Sequence, residues 1–140
     1  MFKRISLVAV AAALILANGY ADQSTGKVII PVTQTNPTNG KQMYTSYCAP
    51  CHGVDAHGHG PVASVLKSQP TDLTLLAKLN HGKYPDSHVV SVLEFGSELP
   101  SHGSGEMPVW GILLGKMDQS QNRNLRISNL TRYLESLQVK

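Results

Sequence analysis

Both cysteines of this 140-residue chain fall in one pentapeptide, Cys48-Ala49-Pro50-Cys51-His52. Two thiols on one helical turn can each add to a vinyl group of the same porphyrin. The histidine beside the second thiol is then placed under the ring, within reach of iron. Covalent haem attachment is the chemistry that this spacing points to. Other readings fit less well. A zinc site needs about four ligands, and Cys48, Cys51 and His52 are too crowded to supply three of them without strain. A second Cys-x-x-Cys pair is missing. A redox dithiol would sit in a βαβ setting, and no strand pattern leads into Cys48. A Cys48–Cys51 disulfide would close a very small loop.

The second iron ligand has to come from elsewhere in the chain. Met43 shares a helix with the cysteines and reads as core filler. Met107 lies 55 residues beyond His52, in a Gly/Ser/Pro loop stiffened by Pro108, and is the leading candidate. Met117 and His102 are the rivals. A histidine there would give a lower potential than a methionine. His57 and His59 read as exposed loop residues, and His81 and His88 flank helix ends.

The N-terminus resembles an export address. Met1-Phe2-Lys3-Arg4 is a short basic segment, and Ile5 to Ala17 is apolar but too short to cross a bilayer. Gly19-Tyr20-Ala21 fits a cleavage site, so residues 1–21 are expected to leave as a signal peptide. Export places the protein in a bacterial periplasm, with no transmembrane segment after cleavage. The formal charge of +3 includes Lys3 and Arg4. Without them, 10 basic side chains face 9 acidic ones. Two ionised haem propionates would bring the total to about −1. Nothing in this balance suggests a nucleic-acid partner or an anionic membrane surface.

The elements needed to position these groups read as helices. Residues 22–36 form a polar lead-in, and residues 37–140 one domain. Asn36-Pro37-Thr38-Asn39 predicts a turn with cap residues, starting a helix near Gly40 that delivers the cysteines. Gly53 to Gly60 is loop, and Val62 to Lys67 a short helix. Gln69-Pro70-Thr71-Asp72 is a break before helical spacing at Leu73, Leu76 and Leu79. Asp86 or Ser87 caps a helix that ends at Gly96. Leu99 to Gly105 is loop again. Asp118-Gln119-Ser120-Gln121 resembles a capping box ahead of an amphipathic helix carrying Ile127, Leu130, Leu134 and Leu137 on one stripe. With no strand alternation, the expected class is all-α with long loops.

Together these elements resemble the monohaem, class I cytochrome c family. The matching residues are Gly40-x-x-x-Tyr44-x-x-Tyr47-Cys48-x-x-Cys51-His52-Gly53, Gly58-x-Gly60-Pro61, Met107-Pro108-x-Trp110 and Leu130-x-x-Tyr133-Leu134. They span roughly residues 37 to 138. The resemblance implies a cytochrome c-like fold, with N- and C-terminal helices crossing near Gly40 around one covalently held haem c. It implies His52 and Met107 as axial iron ligands. It also implies a backbone carbonyl at Pro61 tied to the second nitrogen of His52, and a Trp110 indole near a haem propionate. Lys83 and Tyr84 are further candidates for a propionate contact.

The function so implied is periplasmic electron transfer, without catalysis of its own. The expected donor is a quinol-oxidising complex or a dehydrogenase, and the expected acceptor an oxidase or reductase. The alternatives are a haem-bearing subunit of a larger redox enzyme, or a five-coordinate haem enzyme or gas sensor. The sequence shows no distal His/Arg pair of peroxidase type.

Overall fold

A computed structural model describes residues 33–96, 107–117 and 121–139. The signal segment, the loop with His102 and residues Asp118 to Ser120 lie outside them. The described residues are helical and contain no strand. None of their helices is long and apolar enough to cross a membrane.

The first helical rod runs from Gly40 to His52 in three parts: α1 (Gly40–Met43), a π-helical turn (Tyr44–Cys48) and α2 (Ala49–His52). The predicted turn starts it. Asn36 Oδ1 accepts from Thr38 N, and Asn39 Oδ1 caps Gln42 N at 2.9 Å. The wider turn closes with Ala49 N–H donating to Tyr44 O, five residues back. Its cause is the next residue. Pro50 has no N–H, and its ring crowds the carbonyl four residues earlier, so the helix opens before it.

Two short 3₁₀ turns follow, at Ala63–Val65 and Leu73–Leu75. Asp72 caps the second through Thr74 N, and α3 (Leu76–Leu79) continues it. The helix expected over Val62 to Lys67 is thus a single 3₁₀ turn. In α4 (Asp86–Phe95), Asp86 stands inside the first turn and Pro85 precedes it without a side-chain cap, contrary to the expected cap. Gly96 ends α4 at φ +82°, as its position suggests.

Helix α5 (Trp110–Met117) has no counterpart among the sequence expectations. Its Gly111 lets it approach α4: a Cβ added there would lie 2.9 Å from Glu94 Cα. Helix α6 (Arg123–Ser136) begins after Asn122, which makes no side-chain cap bond, and three residues of the expected box, Asp118 to Ser120, lie outside the described residues.

The core lies where α6 meets α1, α4 and α5. Ile127, Leu130 and Leu134 of the predicted stripe are buried against Met43, Tyr44, Val89, Leu93 and Leu114, while Leu137, its fourth member, is only partly buried. Each of the buried side chains contributes about 1.5–3 kcal/mol by leaving water. Tyr44 packs on Tyr133 with ring centroids 5.4 Å apart. Arg126, next to the stripe, is also fully buried. Its Nη1 donates to Thr35 Oγ1 at 2.9 Å, and Thr35 pairs with the Tyr47 hydroxyl at 2.7 Å. The end of the lead-in is therefore part of the core.

Candidate functional site

The rod from Gly40 to His52 turns Cys48, Cys51 and His52 toward a cavity of about 190 Å³ that is open on one side. Its walls are mostly apolar: Leu66, Leu73 and Leu76 from the middle of the chain, Val89, Val92 and Leu93 from α4, and Leu134 from α6. Met107 and Pro108 line it from just ahead of α5, and Trp110 from the start of that helix. Five of the six expected site residues therefore share one cavity. Pro61, the sixth, is exposed and does not line it.

Both cysteines are free thiols. Burial, helped by its neighbour Cys51, pushes the Cys48 thiol up to about 12, and burial also raises Cys51. Redox-active dithiols have the opposite property, a depressed pKa. Among the described residues, no group of three His, Cys, Asp or Glu side chains converges on a metal-ion site. The zinc reading needs such a group. A porphyrin-bound iron does not, because the macrocycle supplies four ligands and the protein adds only axial ones.

His52 is held from both its main chain and its ring. Its carbonyl accepts from Gly58 N at 2.7 Å. Its Nδ1 lies 2.9 Å from the Thr71 carbonyl. A carbonyl can only accept, so Nδ1 carries the proton and Nε2 keeps a free lone pair. Burial lowers the imidazole pKa against the opposing pull of Thr71, so the ring is neutral near pH 7. The acceptor expected at Pro61 is thus at Thr71. The Gly58–Pro61 segment turns instead to the helix end, where Gly60 N bonds Cys51 O and Val62 N bonds Pro50 O. A Cβ at Gly60 would sit 2.6 Å from Ala49 O, which explains the glycine.

The rival thioethers are placed elsewhere. Met43 is fully buried beside Arg126, 3.8 Å from its Nη1. Met117 Sδ lies 3.4 Å from the Tyr47 hydroxyl. Neither lines the cavity. Trp110 is buried and stacks on Tyr47 at 5.5 Å with 28° between the rings. The Tyr84 hydroxyl donates to Thr131 O at 3.1 Å, and neither it nor Lys83 lines the cavity.

Besides the Thr71 acceptor, two features of the site escaped the sequence reading. His88, assigned to a helix end, is exposed yet lines the cavity. His57, read as a plain exposed residue, pairs with Asp72 at 2.9 Å. No family model matches this chain. No curated protein matches it either.

Proposed function

We propose that this protein is an exported electron carrier, built to hold one haem c covalently through Cys48 and Cys51. The observation that carries this reading is the convergence of four groups on one apolar cavity: two thiols, an imidazole with a free Nε2, and a thioether. The donor set fits a haem. A bound haem would supply two vinyl groups across which the Cys48 and Cys51 thiols could add, each addition exchanging an S–H bond and a π bond for C–S and C–H bonds with no net oxidation.

His52 and Met107 would hold the iron, and Trp110 would face the macrocycle edge or a propionate. A haem bound there supplies an iron that cycles between Fe(III) and Fe(II). The chain contributes ligands, orientation and exclusion of water. With His52 and Met107 both holding the iron, no position would be left for a substrate, which favours transfer over catalysis. The proposed cytochrome c-like fold rests on the Gly40 helix crossing and the Cys-x-x-Cys-His helix. The periplasmic address rests on residues 1–21. The proposed partners are a quinol-oxidising complex or dehydrogenase as donor and an oxidase or reductase as acceptor.

The test is covalent retention. After acid–acetone extraction, the purified protein should keep its haem, and its intact mass should equal the chain from Asp22 plus one whole haem. Cys48→Ser and Cys51→Ser should each lose one thioether and leave a vinyl signature in the pyridine haemochrome spectrum. Full extraction of haem from the wild type would refute the proposal.

A further inference from the structure

The segment carrying Thr71 is stapled to the loop after His52 at three points. Gln69 Nε2 donates to Gly58 O. His57 pairs with Asp72 at 2.9 Å, and Leu73 N donates to Ala56 O at 2.8 Å. Thr71 lies between the first staple and the other two, and its carbonyl is the acceptor for His52. On the other side, Gly58, the neighbour of His57, donates its N–H to the His52 carbonyl at 2.7 Å. The bonds form a closed circuit: His52 carbonyl, Gly58, His57, Asp72, Thr71, His52 ring.

We propose that the His57–Asp72 pair is a positioning clasp that fixes the Thr71 carbonyl against His52 and so sets the donor strength of the iron ligand. This rests on the haem-carrier reading of the same site.

The surrounding geometry is specific to that role. Asp72 is locked in place because its Oδ1 accepts from Thr74 N at 2.9 Å and from Thr74 Oγ1 at 2.6 Å, leaving Oδ2 for His57. His57 is aimed by a bent backbone, with Ala56 at φ +66° and Gly58 at φ +85° on either side. Its main-chain N–H donates to Asp55 Oδ1 at 3.3 Å. Asp72 and Asp55 are the charged groups that face it. The clasp is half open to solvent, with side-chain exposures of 48% for His57 and 28% for Asp72. Ion pairs of that kind add little to global stability. Its value lies in orientation: an acceptor held on Nδ1–H fixes the tautomer and raises the basicity of the ligating nitrogen. A more basic imidazole favours Fe(III).

The experiment uses the full-length holoprotein with His57→Phe, His57→Asn and Asp72→Asn. The amide introduced by His57→Asn keeps an N–H donor near the place of Nδ1 without charge. In the Asp72→Asn variant, Oδ1 can still cap Thr74, but the amide that replaces Oδ2 no longer accepts from His57. His57→Phe should shift the one-electron equilibrium toward Fe(II) by about threefold, roughly 30 mV upward. It should also speed solvent exchange of the His52 Nδ1 proton in the ferrous protein. Asp72→Asn should move both readouts the same way, which keeps the test available if His57→Phe folds poorly. His57→Asn should stay close to wild type in both. If His57→Phe and Asp72→Asn fold and change neither readout, the clasp has no positioning role. If His57→Asn shifts as far as His57→Phe, charge and not orientation is responsible, and the proposal is overturned.

Should the wild-type chain carry no haem, the carrier reading fails first. The clasp is then read from the ring-nitrogen NMR spectrum of His52 in the haem-free chain. An Nδ1-protonated tautomer that is lost in His57→Phe supports it, and an unchanged tautomer overturns it.

Discussion

A Cβ at Gly40 would stand 2.8 Å from the Cβ of Tyr133, closer than two such atoms pack. Helices α1 and α6 can therefore cross this closely only while residue 40 has no side chain. Gly40→Ala must push α1 and α6 apart and disturb the Tyr44–Tyr133 ring contact on the next turn. Overpacking of this kind costs about 1–3 kcal/mol, more than the helix propensity gained from alanine. Urea unfolding should show a lower midpoint with an unchanged slope. A midpoint equal to or above that of wild type would mean the crossing is looser than described.

The Tyr47 hydroxyl joins three elements. It lies 2.5 Å from Thr33 O, 2.7 Å from Thr35 Oγ1 and 3.4 Å from Met117 Sδ, while its ring stacks on Trp110 beside the cavity. Tyr47→Phe keeps the stack and removes the bonds. The expected cost is about 1–2 kcal/mol, since buried polar partners are left unsatisfied. Amide exchange at Thr35 should accelerate while the Trp110 fluorescence maximum stays fixed. A shifted maximum would place the effect in the stack instead.

What the sequence made legible follows from local rules. The pentapeptide, the turn at Asn36–Asn39 and the stripe on α6 each depend on side-chain identity at fixed spacing. Gly40 was marked through the family resemblance and not by a local rule, and its close approach to Tyr133 supplies the physical reason. Helix α5 was not legible, because Gly111 reads against a helix until the backbone of α4 at Glu94 is known to pass beside it. Thr71 escaped for a different reason: its main-chain carbonyl does the work, and any residue there would supply one. Arg126 is one position off the apolar stripe, where no local rule marks it for the core, yet Thr35, from a segment expected to be lead-in, meets it there. The acceptor expected at Pro61 failed because the Gly58–Pro61 segment turns back to bond the end of α2.

The His57–Asp72 pair should leave a pH signature in stability. The hydrogen bond and the charge of Asp72 raise the His57 pKa above its ordinary 6.5, so its contribution is complete below that value and is lost as pH rises through the raised one. Partial burial works to raise Asp72, but the bonds from Thr74 and His57 outweigh it and hold the carboxyl below its ordinary 3.8. Its contribution is complete above 3.8 and is lost as pH falls through the lowered value. The pair is therefore fully formed between those two ordinary values. The stability difference between wild type and His57→Asn should be larger at about pH 5 than at about pH 9. Equal differences at both would show that the pair does not persist in solution.

The assignment of Met107 gives the most direct test of the distal side. Three thioethers are available among the described residues, and two are committed elsewhere: Met43 to the core beside Arg126, and Met117 to the Tyr47 hydroxyl. Only Met107 shares the cavity with His52. Oxidised wild-type protein should show the weak near-infrared sulfur-to-iron band, and Met107→Ala should lose it. The potential should fall, since thioether ligation favours Fe(II). The opened position should bind cyanide more tightly by at least about tenfold, or 1.4 kcal/mol. Met117→Leu should change none of these and should instead lower stability slightly through its lost contact with Tyr47. If the band survives in Met107→Ala and disappears in Met117→Leu, α5 must turn over on haem binding and the ligand is Met117. If the wild type binds CO rapidly before any substitution, the distal position is open, and the electron-carrier proposal yields to a five-coordinate enzyme or sensor.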